Sequence, residues 1–121
     1  MNNDKKALGT IGEELAAEML VRKGYKILHR NWYYNHKEID IVSIHDNDLV
    51  IVEVKTRTED MYEEPWQAVS NKKIRFLAEA TEAYIEKYSI ENEVRFDVVS
   101  IVFKQGKPEL EHIENAFRPW M

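Results

Sequence analysis

The stretch Leu49-Val50-Ile51-Val52-Glu53-Val54-Lys55-Thr56 contains five β-branched residues and neither glycine nor proline. This composition predicts a β-strand. From Leu49 to Val52 the strand is apolar on both faces, which is typical of a central strand that is covered on both sides. Glu53 and Lys55 then bring charge to the end of the same strand, where burial is costly unless the charges have a task. The stretch therefore predicts a buried central strand that ends in a cleft.

Two helices and four more strands are predicted around this strand. Helix one covers residues 7–23 and stops at Gly24, and helix two covers residues 70–88. The apolar residues that predict the buried stripe of helix one are Leu8, Ile11, Leu15, Met19 and Leu20. The four other strands are predicted from alternation and from β-branched or aromatic residues, at residues 25–34, 38–44, 94–103 and 109–113.

The resulting order, α-β-β-β-α-β-β, predicts an α/β sandwich. A mixed sheet of about five strands would be covered by helices, and helix two would make the crossover to the fourth strand. Residues 45–48 are His-Asp-Asn-Asp, in which Asn and Asp tolerate the left-handed conformation of a hairpin turn. Residues 58–65 are polar and end in a proline, so we expect a surface loop there.

Length and composition limit the classes of protein. A chain of 121 residues predicts one domain over residues 1–121. The chain has no cysteine, no apolar run long enough to cross a membrane and no apolar segment after its charged start, so we expect a cytoplasmic protein. The net charge of −5 argues against a simple nucleic-acid binder. Residues 1–76 nevertheless carry 12 basic and 13 acidic side chains, which leaves room for a basic face.

The register of the predicted hairpin decides whether its charged side chains meet. If residues 46–47 form the turn, Asp40 faces Glu53 and Glu38 faces Lys55. Like charges opposite each other in a sheet are destabilising, and a hard divalent cation such as Mg²⁺ would offset their repulsion by binding both carboxylates. The alternative is an ordinary charge lattice on a solvated sheet face.

Glu13 in helix one, Asp40 in strand two and Glu53-Val54-Lys55 in strand three form an arrangement that resembles the PD-(D/E)xK nuclease superfamily. The chain is most similar to its YraN-like family. The segments that carry the resemblance run over nearly the whole chain, at residues 12–17, 24–28, 31, 38–40, 52–57, 68–69 with 72, 95–99 and 115–117. Through the superfamily the chain also resembles archaeal Holliday junction resolvases. The resemblance implies a restriction-endonuclease-like three-layer sandwich.

The same resemblance implies a catalytic set. Asp40 and Glu53 would be ligands of Mg²⁺ (or Mn²⁺), and Glu13 would complete or support the metal shell. Lys55 would orient the attacking water or stabilise charge on the phosphate. The implied reaction is hydrolysis of phosphodiester bonds in DNA, with branched or single-stranded DNA as expected substrates.

Basic side chains near these elements suggest a rim that binds phosphates. Our candidates for substrate binding are Lys37, Arg57 and Lys72, of which Lys72 is favoured because the amides at the start of a helix also attract anions. The alternative is that these residues are solvated surface. Two positions depart from the patterns: Ile39 replaces the proline in the superfamily's name, and Lys37 replaces a glycine usual in the YraN-like family.

Three functional hypotheses follow from the sequence. The first is a metal-dependent DNA endonuclease. The second, consistent with the acidic net charge, is a catalytically inactive nuclease-fold module that binds DNA or a protein partner in recombination, repair or uptake of DNA. The third is a protein-interaction module that does not bind DNA. The resemblance to resolvases, which handle two strands symmetrically, further implies a homodimer.

Overall fold

The architecture was established from a computed structural model that describes residues 2–61 and 69–120. In these ranges the elements are helix α1 (Asn2–Arg22), strands β1 (Lys26–Tyr34), β2 (Lys37–His45) and β3 (Asp48–Thr58), a short 3₁₀ helix (Glu59–Met61), helix α2 (Asn71–Tyr88), and strands β4 (Val94–Lys104) and β5 (Lys107–Phe117). The order α-β-β-β-α-β-β is confirmed. Of the predicted loop at residues 58–65, residues 62–65 lie outside the described residues.

The five strands form one mixed sheet in the order β1-β2-β3-β4-β5. Only β3 and β4 pair in parallel, and the other three pairs are antiparallel. A parallel pair needs a long crossover, and α2 lies in this connection. Strand β3, which contains Glu53 and Lys55, is the central strand of the sheet, as predicted.

The two helices cover opposite faces of the sheet. Ala16 and Leu20 of α1 pack in a buried cluster with Val50 and Val52. The cluster under α2 contains Leu77, Ala80 and Tyr84 together with Leu49 and Ile51 of the same strand. Because successive strand residues point to opposite faces, the helices form the outer layers of a three-layer α/β sandwich, as the resemblance implied.

The predicted hairpin register is confirmed over the paired part of β2 and β3. Asp46 and Asn47 both have left-handed backbones, with φ of 49° and 68°, as a two-residue hairpin turn requires. Pairing then runs from His45 opposite Asp48 to Ile41 opposite Val52.

The predicted stripe of α1 differs from the observed buried face. Ile11 is 48% exposed, whereas Gly12, Ala16 and Leu20 are buried. A Cβ atom built on Gly12 would lie 2.0 Å from Thr56 Oγ1, so any other residue at this position requires Thr56 or the helix to shift. The stripe was inferred from large apolar residues, but this close approach selects small ones.

Strand β5 is longer than the predicted residues 109–113. It pairs with β4 from Lys107 to Phe117, with a break in register between Phe96 and Val98 of β4. The predicted strand at residues 109–113 is confirmed, and its ends were missed because Pro108, Glu114 and Asn115 are residue types that are depleted in strands. No helix within the described residues combines the length and the apolarity needed to span a membrane.

Candidate functional site

Strands β2 and β3 stop pairing just before the candidate carboxylates. Beyond the Ile41–Val52 pair, the main-chain amide of Val54 donates a hydrogen bond of 2.8 Å to Oδ2 of Asp40. Ile39 packs under α2 and Ile41 under α1, although strand residues two apart normally share a face. Strand β2 therefore changes face at Asp40, and the hairpin forks where the carboxylate lies.

Asp40 and Glu53 form a buried acidic pair at this fork, since they are 8% and 5% exposed. Burial raises the pKa of Asp40 well above its usual value, and the negative charge of Glu53 raises it further. Among the described residues, Glu53 Oε1 has no hydrogen-bond partner. A buried acceptor without a partner is costly, so this pair is suited to a bound cation.

Glu13 reaches the fork from α1 and is held by Asn31. The side-chain amide of Asn31 donates to Glu13 at 2.8 Å and to Glu38 at 3.2 Å. The pKa of Glu13 is raised overall. Burial is the largest cause, the hydrogen bond from Asn31 opposes it, and the negative charge of Glu38 adds to it. The predicted pair of Glu38 with Lys55 is absent from the described ladder between β2 and β3, and Glu38 contacts Asn31 of β1 instead.

No separate role was predicted for Asn31, which belongs only to the segments that carry the family resemblance. Its backbone is left-handed, with φ of 50° in the middle of β1. Asparagine tolerates this conformation better than most residues. An asparagine inside a strand pattern was the available signal.

One cavity of about 370 Å³ brings most of the predicted site together. Its lining includes Glu13, Asp40, Lys55 and Arg57. Glu53 belongs to the same acidic pair but meets Asp40 from the α2 side of the sheet. The cavity therefore joins α1 to the open end of the hairpin, with acidic and basic side chains on its walls.

The predicted basic residues fall into two groups. Lys55 and Arg57 line the cavity. Lys37 pairs with Glu79 at 3.2 Å, and both Lys37 and Lys72 place their ammonium groups over the ring of Phe76. Lys37 lies beside α2 and Lys72 lies in its first turn, and neither lines the cavity.

Lys73, rather than Lys72, contacts the acidic pair. Its Nζ lies 3.6 Å from Oε2 of Glu53. Ser70 caps α2 and accepts a hydrogen bond of 3.1 Å from the amide of Lys73, which fixes the first turn of the helix. The sequence placed both lysines near the site, but which of them turns toward the sheet depends on how α2 docks.

The carboxylates at the fork fit a hard divalent ion that takes two protein ligands. Within residues 2–61 and 69–120, no three acidic or histidine side chains already share a metal-binding arrangement. Mg²⁺ usually takes only one or two protein carboxylates and completes its shell with water and phosphate oxygens. Asp40 and Glu53 could supply that pair, and Glu13 on the cavity wall could hold a ligand water.

Comparison with known proteins gives the family. A family model described as "Uncharacterised protein family UPF0102" matches residues 12–101. A UPF0102 protein of Phocaeicola vulgatus is 46% identical over 111 residues, which cover 92% of each chain. One from Parabacteroides distasonis is 43% identical over 110 residues, 91% of each chain. One from Syntrophomonas wolfei is 45% identical over 111 residues, 91% of this chain and 96% of that protein. The chain therefore belongs to the UPF0102 family, which is the YraN family that its sequence segments resemble.

Proposed function

We propose that this protein is a Mg²⁺-dependent nuclease that hydrolyses phosphodiester bonds in DNA. The observation that carries the proposal is the buried pair of Asp40 and Glu53 at the fork of the hairpin, with Glu53 Oε1 lacking a hydrogen-bond partner among the described residues. Two adjacent buried carboxylates destabilise a fold unless a proton, a basic side chain or a metal ion compensates them. A metal site explains why the two carboxylates are buried together, whereas a charge lattice would lie on a solvated surface.

The residues around the pair have matching tasks. When bound, a divalent ion supplies Lewis-acid chemistry and lowers the pKa of a coordinated water. Asp40 and Glu53 would hold the ion, with Glu13 positioned by Asn31 as a further oxygen donor. Lys55 on the cavity wall would orient the attacking water or stabilise negative charge on the phosphate. Arg57 lines the same cavity and suits a phosphate oxygen.

The substrate, the oligomeric state and the DNA-binding lysines are proposed from the family resemblance and from charge. DNA as the substrate, branched or single-stranded, and a homodimer come from the likeness to nucleases and resolvases. Lys37 and Lys72 would contact the phosphate backbone farther along, beside α2. A chain without cysteine is compatible with the cytoplasm, where we expect these DNA substrates to be found.

A second candidate is a nuclease-fold module that binds DNA or a DNA-processing partner without cleaving DNA. It is favoured by the position of Lys73, whose ammonium group lies 3.6 Å from Glu53 and can neutralise that carboxylate without a metal. In this case the acidic pair is a structural remnant of a metal site.

The test is a calorimetric titration of Mg²⁺ and Mn²⁺ into the wild type and the Asp40→Asn/Glu53→Gln double variant. Labelled duplex, single-stranded and four-way-junction DNA are incubated alongside. A Glu91→Gln/Glu111→Gln variant removes the same number of charges from the exposed surface and serves as the control.

Metal binding and cleavage that are lost only in the Asp40/Glu53 variant would support the nuclease. DNA binding without cleavage in either metal would favour the second candidate. Equal cleavage by the wild type and the Asp40/Glu53 variant would rule out this site.

A further inference from the structure

We propose that a groove between the end of β1 and helix α2 binds an extended, lysine- and arginine-rich segment of a protein partner. The groove has a volume of about 620 Å³. Its walls include three consecutive aromatic residues of β1 and three glutamates of α2, which are Trp32, Tyr33, Tyr34, Glu79, Glu82 and Glu86. This β1–α2 groove involves none of the four residues of the proposed catalytic set, so the inference stands apart from the proposed nuclease.

The aromatic wall is both exposed and firmly backed. Tyr34 is 41% exposed and lies on the same face of β1 as Trp32, whereas Tyr33 is 62% exposed and its hydroxyl hydrogen-bonds to Glu38. Trp32 packs edge-on against Tyr84 with ring centres 5.1 Å apart, and its indole donates to Tyr88 Oη at 3.4 Å. Rigid exposed aromatic faces attract ammonium and guanidinium groups by cation–π interactions.

The opposite wall carries three glutamates against one lysine, Lys87, whose ammonium group lies over the ring of Tyr88. Glu82 and Glu86 are exposed one helical turn apart, and like charges at this spacing destabilise a helix. Lys37 pairs with Glu79, but the described residues provide no ion pair for Glu82 or Glu86. These carboxylates repel a phosphate backbone and favour a cationic partner.

The shape of the partner follows from the sheet. Strand β1 is an edge of the sheet, and within residues 2–61 and 69–120 no strand pairs with its outer main-chain groups. The other edge strand, β5, carries Pro108, Glu109 and Glu111, which discourage the addition of a strand. Strand β1 instead ends in aromatic residues beside the groove. An extended segment can hydrogen-bond to this edge while alternate side chains enter the groove.

The test uses labelled peptides of about ten residues, long enough to span one strand, in which threonine alternates with arginine or with glutamate. They are titrated into the wild type, a Glu82→Arg/Glu86→Arg variant and a control Glu109→Arg/Glu111→Arg variant on β5. Both variants change the net charge equally. We expect the arginine peptide to bind the wild type and the control alike, and the groove variant at least about 10-fold more weakly, or about 1.4 kcal/mol.

A second variant tests the aromatic wall without changing charge. Tyr34→Ala removes an exposed ring and should weaken the arginine peptide several-fold, with no effect on the folded state as judged by circular dichroism. Amide chemical shifts should change at residues 32–35 and 82–87 of the wild type when the arginine peptide is added.

Several results would overturn the proposal. No binding to the wild type, equal weakening by the groove and control variants, or equal affinity for the glutamate peptide would each do so. Loss of DNA binding in the groove variant would make this face a nucleic-acid surface. Self-association of the wild type that the groove variant abolishes would assign the groove to a second copy of the chain.

Discussion

Oδ2 of Asp40 accepts a hydrogen bond of 2.8 Å from the main-chain amide of Val54. This contact holds the carboxylate at the point where β2 and β3 separate, beside the buried charge of Glu53. The hydrogen bond from Val54 therefore needs only an acceptor oxygen at position 40, and does not need the negative charge of Asp40. An asparagine can still accept the bond from Val54, but it adds no negative charge to the pair.

We therefore expect Asp40→Asn to abolish metal-dependent DNA cleavage and to stabilise the metal-free protein by about 1 kcal/mol, because it relieves repulsion with Glu53. Urea unfolding in the presence of a chelator measures the stability, and a gel assay measures the cleavage. Glu111→Gln removes an exposed carboxylate and should change neither quantity. A destabilised variant that still cleaves DNA would contradict both parts of the prediction.

Metal binding should also raise the free energy of unfolding. At a free Mg²⁺ or Mn²⁺ concentration of about 100 times the dissociation constant, the wild type should gain about 2.7 kcal/mol in its free energy of unfolding. The Asp40→Asn/Glu53→Gln variant should gain nothing, because it retains neither charged ligand. Thermal unfolding with and without metal provides the readout. Equal stabilisation of the two proteins would place the metal elsewhere.

Two glycines of α1 provide a matched pair of substitutions. Gly12→Ala should destabilise the protein by about 1 to 3 kcal/mol, because the added Cβ would lie 2.0 Å from Thr56 Oγ1 and 3.1 Å from Thr56 Cβ. Thr56 or the helix must then shift, and a shift of the helix would displace Glu13 and reduce cleavage. Gly9→Ala meets nothing within 4 Å and should stabilise the helix by about 0.5 to 1 kcal/mol. Chemical denaturation of both variants would contradict this account if they behaved alike.

The stability of the protein in acid should depend on Asp97, which is fully buried. Burial alone would raise the pKa of Asp97, but hydrogen bonds from His112, Arg95 and the amide of Asn115 outweigh it and lower the pKa to about 2. A carboxylate whose pKa is lower in the folded state stabilises the fold above its unfolded pKa. That contribution is lost as the pH falls from about 4 toward 2.

The expected size of this effect is about 2 kcal/mol. Urea unfolding of the wild type from pH 6 to pH 2 should show this loss, in addition to that from other carboxylates. Asp97→Asn should be less stable near neutral pH and should lack this part of the acid dependence. Glu111→Gln, on the exposed edge of the sheet, should follow the wild-type profile. An Asp97→Asn profile parallel to that of the wild type would refute the assignment.

Neighbouring lysines at the start of α2 should have different effects. Lys73→Met removes the cation beside Glu53 and should reduce cleavage by at least about 10-fold, with a changed affinity for metal. Lys72 lies over Phe76 at the surface, so Lys72→Met should weaken DNA binding only a few-fold and reduce its salt dependence. Cleavage rates and salt-dependent binding of the two variants separate these outcomes. Identical behaviour would mean that the contact with Glu53 has no role in the reaction.

The fold was predictable where local chemistry decides the structure. Asp46 and Asn47 suit a left-handed turn, and a two-residue turn fixes the register of the hairpin, so the pairing up to Ile41 opposite Val52 followed from the sequence. The end of the ladder just before Asp40 and Glu53 did not follow from it. The crossover by α2 followed from the order of elements and their lengths.

The environment of the site was less predictable because it depends on tertiary packing. The orientation of α1 was inferred from its large apolar residues, but the closeness of Gly12 to Thr56 turns a different face toward the sheet. That rotation places Glu13 on the cavity wall. The contact of Lys73 with Glu53 likewise depends on how α2 docks, which local periodicity does not encode.

The charges of the described residues are distributed unevenly over the sheet. The β1–α2 groove holds Glu82 and Glu86 on the face covered by α2, while Lys55 and Arg57 line a cavity beside α1. Both regions mix the two signs, because Glu13 and Asp40 share the cavity with Lys55 and Arg57 and Lys87 lines the groove with the glutamates. Mixed charges at such short range act on a ligand only near contact, so a rise in salt concentration should weaken binding at either place without changing which face is presented.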